Sequence, residues 1–142
     1  AAALEARLQG STARRRLVAT DGVFSMDGDI APLAALAAAA RRHDAWLMVD
    51  DAHGLGVLGA TGRGSLEAAG LGVQDAPILV GTLGKAFGVN GGYVTGASGL
   101  LAYLREKAPT YIYSNPISPA EAGAYVKEFY VATQNHLKAM KK

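Results

Sequence analysis

The sequence predicts an α/β protein built on a mostly parallel sheet flanked by helices. Three observations predict it. Short apolar runs at 16–20, 45–50 and 77–81 alternate with helical or loop segments. The run AWLMVD (45–50) is continuously apolar and ends in acid, the pattern of a strand buried on both faces of a parallel sheet. Between residues 54 and 99 glycines cluster, which suggests tight turns around a ligand.

Each element follows from its own pattern. Leu4 and Leu8 share one helical face over 3–9. RLVAT (16–20) reads as a strand, and Asp21 to Asp29 as a turn-rich loop. Pro32 opens a helix, a favoured first-turn position, that runs to about His43. After strand 45–50 a glycine-rich loop extends from Gly54 to about Ser65. PILVG (77–81) and GGYVTG (91–96) read as further strands. Ser98 caps a helix over 99–106, Tyr111 to Tyr113 is a candidate strand, and a long amphipathic helix runs from Ser118 onward.

Composition narrows the function. With 142 residues there is room for one modest domain. A net charge of +2, from 14 basic and 12 acidic residues, gives no electrostatic case for nucleic acid. Without cysteine there are no disulfides and no thiolate metal sites. The apolar runs fall short of the roughly 20 residues of a membrane span. The opening AAALEARLQG reads as a helix end and not as a signal peptide, so a cytoplasmic location is the default.

Ligands of open α/β sheets sit beyond the carboxyl ends of the strands. Asp50 and Asp51 follow one strand, Thr82 and Lys85 another, and Ser25 lies in the loop after the first. VDDAHG (49–54) has the groups to bind a metal, to act as acid and base, or to anchor a cofactor; its plainer reading is a solvated acid pair. No further metal ligands are obvious, so no metal is expected. GTLGKAFG (81–88) sets a lysine between glycines, where a desolvated amine forms a Schiff base with an aldehyde; its plainer reading is a surface turn. Together an acid and a lysine on different strand ends are what pyridoxal phosphate (PLP) needs, the acid for its ring nitrogen and the lysine for its aldehyde. GLGVLG (54–59) matches the dinucleotide fingerprint after a strand, but it does not open a helix, so a nucleotide site is disfavoured.

TDGVFSMDGDIAPL (20–33), WLMVDDAHGLGVLGATGRGS (46–65) and GTLGKAFGVNGGY (81–93) resemble, in order and spacing, the α-oxoamine synthases, a family of fold-type I PLP enzymes. The resemblance covers roughly residues 14 to 122. It implies that residues 1–124 are part of the family's large PLP-binding domain, with 125–142 a C-terminal helix of unclear origin. It implies PLP as cofactor, with Lys85 forming the Schiff base and moving the substrate α-proton. Asp50 would pair with the pyridine nitrogen. His53 would hydrogen-bond the phenolic oxygen, helped by Ser25, and Thr82 would contact the phosphate. Ser114 of YIYSN resembles a position that reaches the neighbouring subunit's phosphate, which implies a homodimer; a complementing fragment is the other partner expected. Asp51 is left as a structural residue or as a support behind the residues that touch the cofactor, and His43 and His136 as surface residues.

The family joins an amino acid to an acyl-CoA and releases CoA. GTLGKA and YIYSNP lean toward a glycine C-acetyltransferase-like enzyme. The alternatives are an 8-amino-7-oxononanoate synthase-like enzyme or a truncated, non-catalytic α/β fragment. The parts of the family that stack on PLP, cradle its phosphate and bind the substrate carboxylate have no counterpart here, so weak PLP binding and poor turnover are expected.

Overall fold

The computed structural model describes residues 1–114, 118–120, 122 and 123. Its centre is a four-stranded sheet in the order β1 (Arg16–Asp21), β2 (Ala45–Asp50), β3 (Ile78–Thr82), β4 (Gly92–Gly96). The first three strands are parallel, and β4 returns antiparallel to β3. Among the described residues it is accompanied by helices α1 (Ala2–Gln9), α2 (Leu33–Arg42), α3 (Ser65–Ala68), α4 (Ser98–Lys107) and α5 (Pro109–Ile112).

The alanine-rich sequence of α2 serves two ends. Alanine is the best helix former, and its small side chain lets the helix lie close to the sheet. Leu33, Leu36, Ala37, Ala39 and Ala40 are all buried, packed with Val18, Leu47 and Val49 in a core that also holds Leu8 of α1. Arg41 and Arg42 occupy the last turn, where cations suit the helix dipole. The chain leaves through Asp44 at φ 50, a left-handed position that Asp tolerates better than most residues. Pro32 stands one residue before the helix, as its N-cap. Glu5 ties α1 to α2, accepting hydrogen bonds from Arg42 at 2.7 Å and pairing with His43 Nε2 at 2.8 Å. His43 is therefore a partly buried partner of Glu5 and not a free surface residue.

The expectation that strand 45–50 is buried on both faces is corrected. Leu47 and Val49 are fully buried, but Trp46 is 55% exposed. Successive side chains of a strand point to opposite faces, and only one face of this sheet is covered by α1 and α2. The other face carries Leu17, Trp46, Met48, Val80 and Val94 around an open cavity flanked by Leu100 and Leu104 of α4.

Two further expectations change. Tyr111 to Tyr113 is not a strand: Pro109 opens α5, which takes in Tyr111 and Ile112. Ser98 is the first residue of α4 and makes no side-chain cap bond; Ala97 holds the N-cap position. The glycine-rich loop expected to end at about Ser65 does end there, where the single-turn helix α3 starts. The segment 125–142, and most of the long helix expected from Ser118, lie outside the described residues. Among the described residues no helix is long and apolar enough to cross a membrane.

Candidate functional site

The carboxyl ends of β1, β2 and β3 lie side by side, because Asp21 pairs with Asp50 and Asp50 with Val80. Alternation along β2 puts Asp50 on the face of Met48 and Val80, the uncovered side. One of its oxygens accepts the Ala52 N–H at 3.1 Å, a local turn that holds the carboxylate at the strand end. On the same face of β3, Thr82 stands two residues beyond Val80. Its hydroxyl donates to the Gly91 carbonyl at 3.2 Å and accepts from the Gly84 N–H at 3.3 Å.

Lys85 rides in the loop between β3 and β4. That loop is tied across its base by Leu83 N–H to Gly91 O and Val89 N–H to Leu83 O, both 2.9 Å. Lys85 Nζ lies 2.7 Å from His53 Nε2. When Lys85 is the donor in this contact, Nε2 accepts and the imidazole proton is on Nδ1. Lys85 is exposed, so burial within these residues does not supply the desolvated amine that the sequence suggests.

The glycines of the dinucleotide-like GLGVLG have other uses. A Cβ at Gly56 would sit 2.6 Å from the Ala86 Cβ, so the absence of a side chain lets this loop lie against the lysine loop. A Cβ at Gly54 would run into Asp51, and one at Gly59 into Glu67. Glu67 accepts from the Thr61 hydroxyl at 2.7 Å and from the Thr61 and Arg63 N–H groups, which hold its carboxyl below the usual range.

Of the six site residues expected, the structure brings Lys85 and His53 into contact and sets Asp50 and Thr82 on adjoining strand ends. Ser25 lies in an exposed turn, with no hydrogen bond recorded to His53 or Lys85. Ser114 donates to the Tyr111 carbonyl at 3.1 Å and lines a separate cavity with Val80, Tyr93 and Arg105.

Asp51, expected to be structural or a support behind the cofactor residues, is the buried acid of the site region. It is fully buried, and Oδ2 accepts the Ser65 N–H at 2.7 Å. Burial pushes its carboxyl up, opposed by the Ser65 hydroxyl and N–H. A signal existed: in strand alternation 47, 49 and 51 share a face, and Leu47 and Val49 mark it as the inner one.

The aminotransferase class I and II family matches residues 1–142. The chain belongs to this family. Within it, the relatives place the chain among the α-oxoamine synthases. An 8-amino-7-oxononanoate synthase of Methylococcus capsulatus is 61% identical over 124 residues, which cover 87% of this chain and 32% of the relative. One from Nitrosococcus oceani is 62% identical over 121 residues, 85% of this chain and 32% of the relative. Among solved structures, a Sphingomonas wittichii serine palmitoyltransferase superposes with a TM-score of 0.84 at 34% identity, over 91% of this chain and 32% of its own. An 8-amino-7-oxononanoate synthase from Francisella tularensis gives 0.75 at 32%, over 89% and 37%. The chain thus spans about a third of the length of the relatives it matches. These names favour the oxononanoate synthase alternative over the glycine C-acetyltransferase-like reading put first. GTLGKA and YIYSNP are too short to separate members that share one cofactor site.

Proposed function

We propose that this chain carries the cofactor-anchoring part of a PLP-dependent acyltransferase of the 8-amino-7-oxononanoate synthase type. The observation that carries the reading is the 2.7 Å contact between Lys85 Nζ and His53 Nε2, on a loop next to the strand end that bears Asp50, in a member of this family.

The residues suit the cofactor's chemistry. PLP presents an aldehyde, a ring nitrogen, a phenolic oxygen and a phosphate, and when bound it supplies an electron sink for a carbanion at the substrate α-carbon. Lys85 would hold the aldehyde carbon and carry the α-proton. Asp50, anchored by Ala52 N–H, would pair with the ring nitrogen. His53 would hydrogen-bond the phenolic oxygen, with Ser25 assisting. Thr82 would contact the phosphate, and Ser114 would reach the phosphate of a second subunit in a homodimer.

An 8-amino-7-oxononanoate skeleton indicates the bonds made. Its amino-bearing two-carbon end corresponds to alanine without its carboxyl group, and its seven-carbon keto acid end to a dicarboxylic acyl-CoA. The amino acid loses carbon dioxide, its α-carbon bonds to the acyl carbon, and CoA leaves as the thiol.

The test is to mix the chain with PLP, reduce with borohydride and map the labelled peptide. Label confined to Lys85, and lost in Lys85→Ala, is the expected result. Label scattered over surface lysines would leave only an ancestral imprint of the site.

A further inference from the structure

Asp51 is the fully buried acid of the described residues, and none of the chemistry proposed above uses it. It is joined to three pieces of the chain. Its N–H donates to Val80 O of β3 at 2.9 Å. Its carbonyl accepts from Gly54 N–H at 3.1 Å and Leu55 N–H at 3.0 Å, which closes the turn that bears His53. Its Oδ2 accepts from Ser65 N–H at the start of α3.

The carboxylate is also caged. A Cβ at Gly22 or at Gly54 would run into Asp51 Oδ1, and a Cβ at Gly64 into Oδ2. These glycines come from the loop after β1, the turn after β2 and the lead-in to α3. Oδ1 and the Ser65 hydroxyl lie together beside Gly22, and that hydroxyl offsets only part of the penalty of burial. A carboxylate this deeply buried costs stability even so, so the group is retained against its own solvation. What it contributes is shape: a side chain of this length fills the space that three glycines leave.

We infer that Asp51 is a positioning residue, which by filling the cage of Gly22, Gly54 and Gly64 fixes the 51–55 turn and presents His53 to Lys85. The inference rests on the roles proposed for His53 and Lys85. A purely structural Asp51 would stabilise the fold without governing the orientation of the His53 ring.

The experiment reads that orientation in the cofactor-free chain. Long-range proton–nitrogen NMR of the three histidines, with His53 assigned through His53→Gln, reports the imidazole tautomer. Far-UV circular dichroism reports the fold. Wild type should show the Nδ1–H form. Asp51→Asn keeps the volume and an oxygen for Ser65 N–H, and should keep that form. Asp51→Glu, one methylene too long for the cage, and Asp51→Ala, which empties it, should shift His53 to a mixture of tautomers while the dichroism persists. A folded Asp51→Glu or Asp51→Ala chain with the wild-type pattern would overturn the inference. So would an Asp51→Asn chain that loses the pattern as fully as Asp51→Ala. If the glutamate and alanine variants do not fold, Gly54→Ala leaves Asp51 in place but presses a methyl on Oδ1; an unchanged His53 pattern there overturns the inference equally. Borohydride labelling of wild type with PLP is scored separately. A missing Lys85 label defeats the proposed function, whereas an unmoved tautomer defeats the role of Asp51.

Discussion

Replacing Gly56 with alanine separates backbone strain from the fit between two loops. Gly56 has φ 79 and Gly28 has φ 75, so an alanine at either pays the left-handed penalty of about 1–2 kcal/mol. Gly28 has nothing within 4 Å of its would-be Cβ, whereas at Gly56 the Ala86 Cβ waits at 2.6 Å. Ordinary contact begins at 3.4 Å, so the Lys85 loop must give way by about 0.8 Å. Overpacking of this kind costs a further 1–3 kcal/mol, roughly. Gly56→Ala should therefore unfold at a lower urea concentration than Gly28→Ala, by on the order of 1 M at the usual slope. It should also reduce PLP trapping at Lys85 by on the order of 10- to 100-fold, because displacement of a reacting group by about 1 Å has effects of that size. Equal midpoints for the two variants, with equal labelling, would refute the idea that Gly56 is there to admit the lysine loop.

Two other outcomes follow from packing and charge. Leu47→Ala should cost about 2–5 kcal/mol in urea unfolding, since Leu47 is fully buried under α2, while the emission of folded Trp46 on the opposite face stays unchanged. Hydrogen bonding from Arg42, and then from His43, holds the Glu5 carboxyl at about 2. A depressed carboxyl stabilises the fold above its ordinary value of 4.5, and the gain is lost as pH falls through about 2. Melting temperatures followed over that window should fall more for wild type than for Glu5→Gln; parallel curves would show that the exposed cluster adds nothing.

The sheet was legible because each strand is a short apolar run bounded by turn residues, and α2 because its alanines and leucines recur on one face. The burial of 45–50 was not, since AWLMV is apolar on both faces and a sequence does not say which face a given stretch of chain leaves open. At Tyr111 to Tyr113 the strand preference of aromatic residues lost to Pro109, whose fixed φ starts a helical turn. The site was half legible. Lysine between glycines and acid after a strand are local signals, but for the glycines of GLGVLG the sequence could reject a dinucleotide loop without saying what they are for. Their purpose lies in contacts with Asp51, Ala86 and Glu67 that no local pattern encodes.

The β3–β4 hairpin also bears on the order in which the site is assembled. Thr82 pairs with Gly92, so the loop that bears Lys85 closes through contacts near in sequence. Asp50 reaches Val80 only after the chain has passed through α3, and β1 reaches β2 only across α2. Local hairpins form in about 1–10 µs, whereas parallel pairings must first meet the entropy of a long crossover. In refolding followed by amide exchange, protection should arise first on either side of Lys85. The lysine is then presented before its acid arrives, and the slow step in building this site is the docking of β2 beside a hairpin already made.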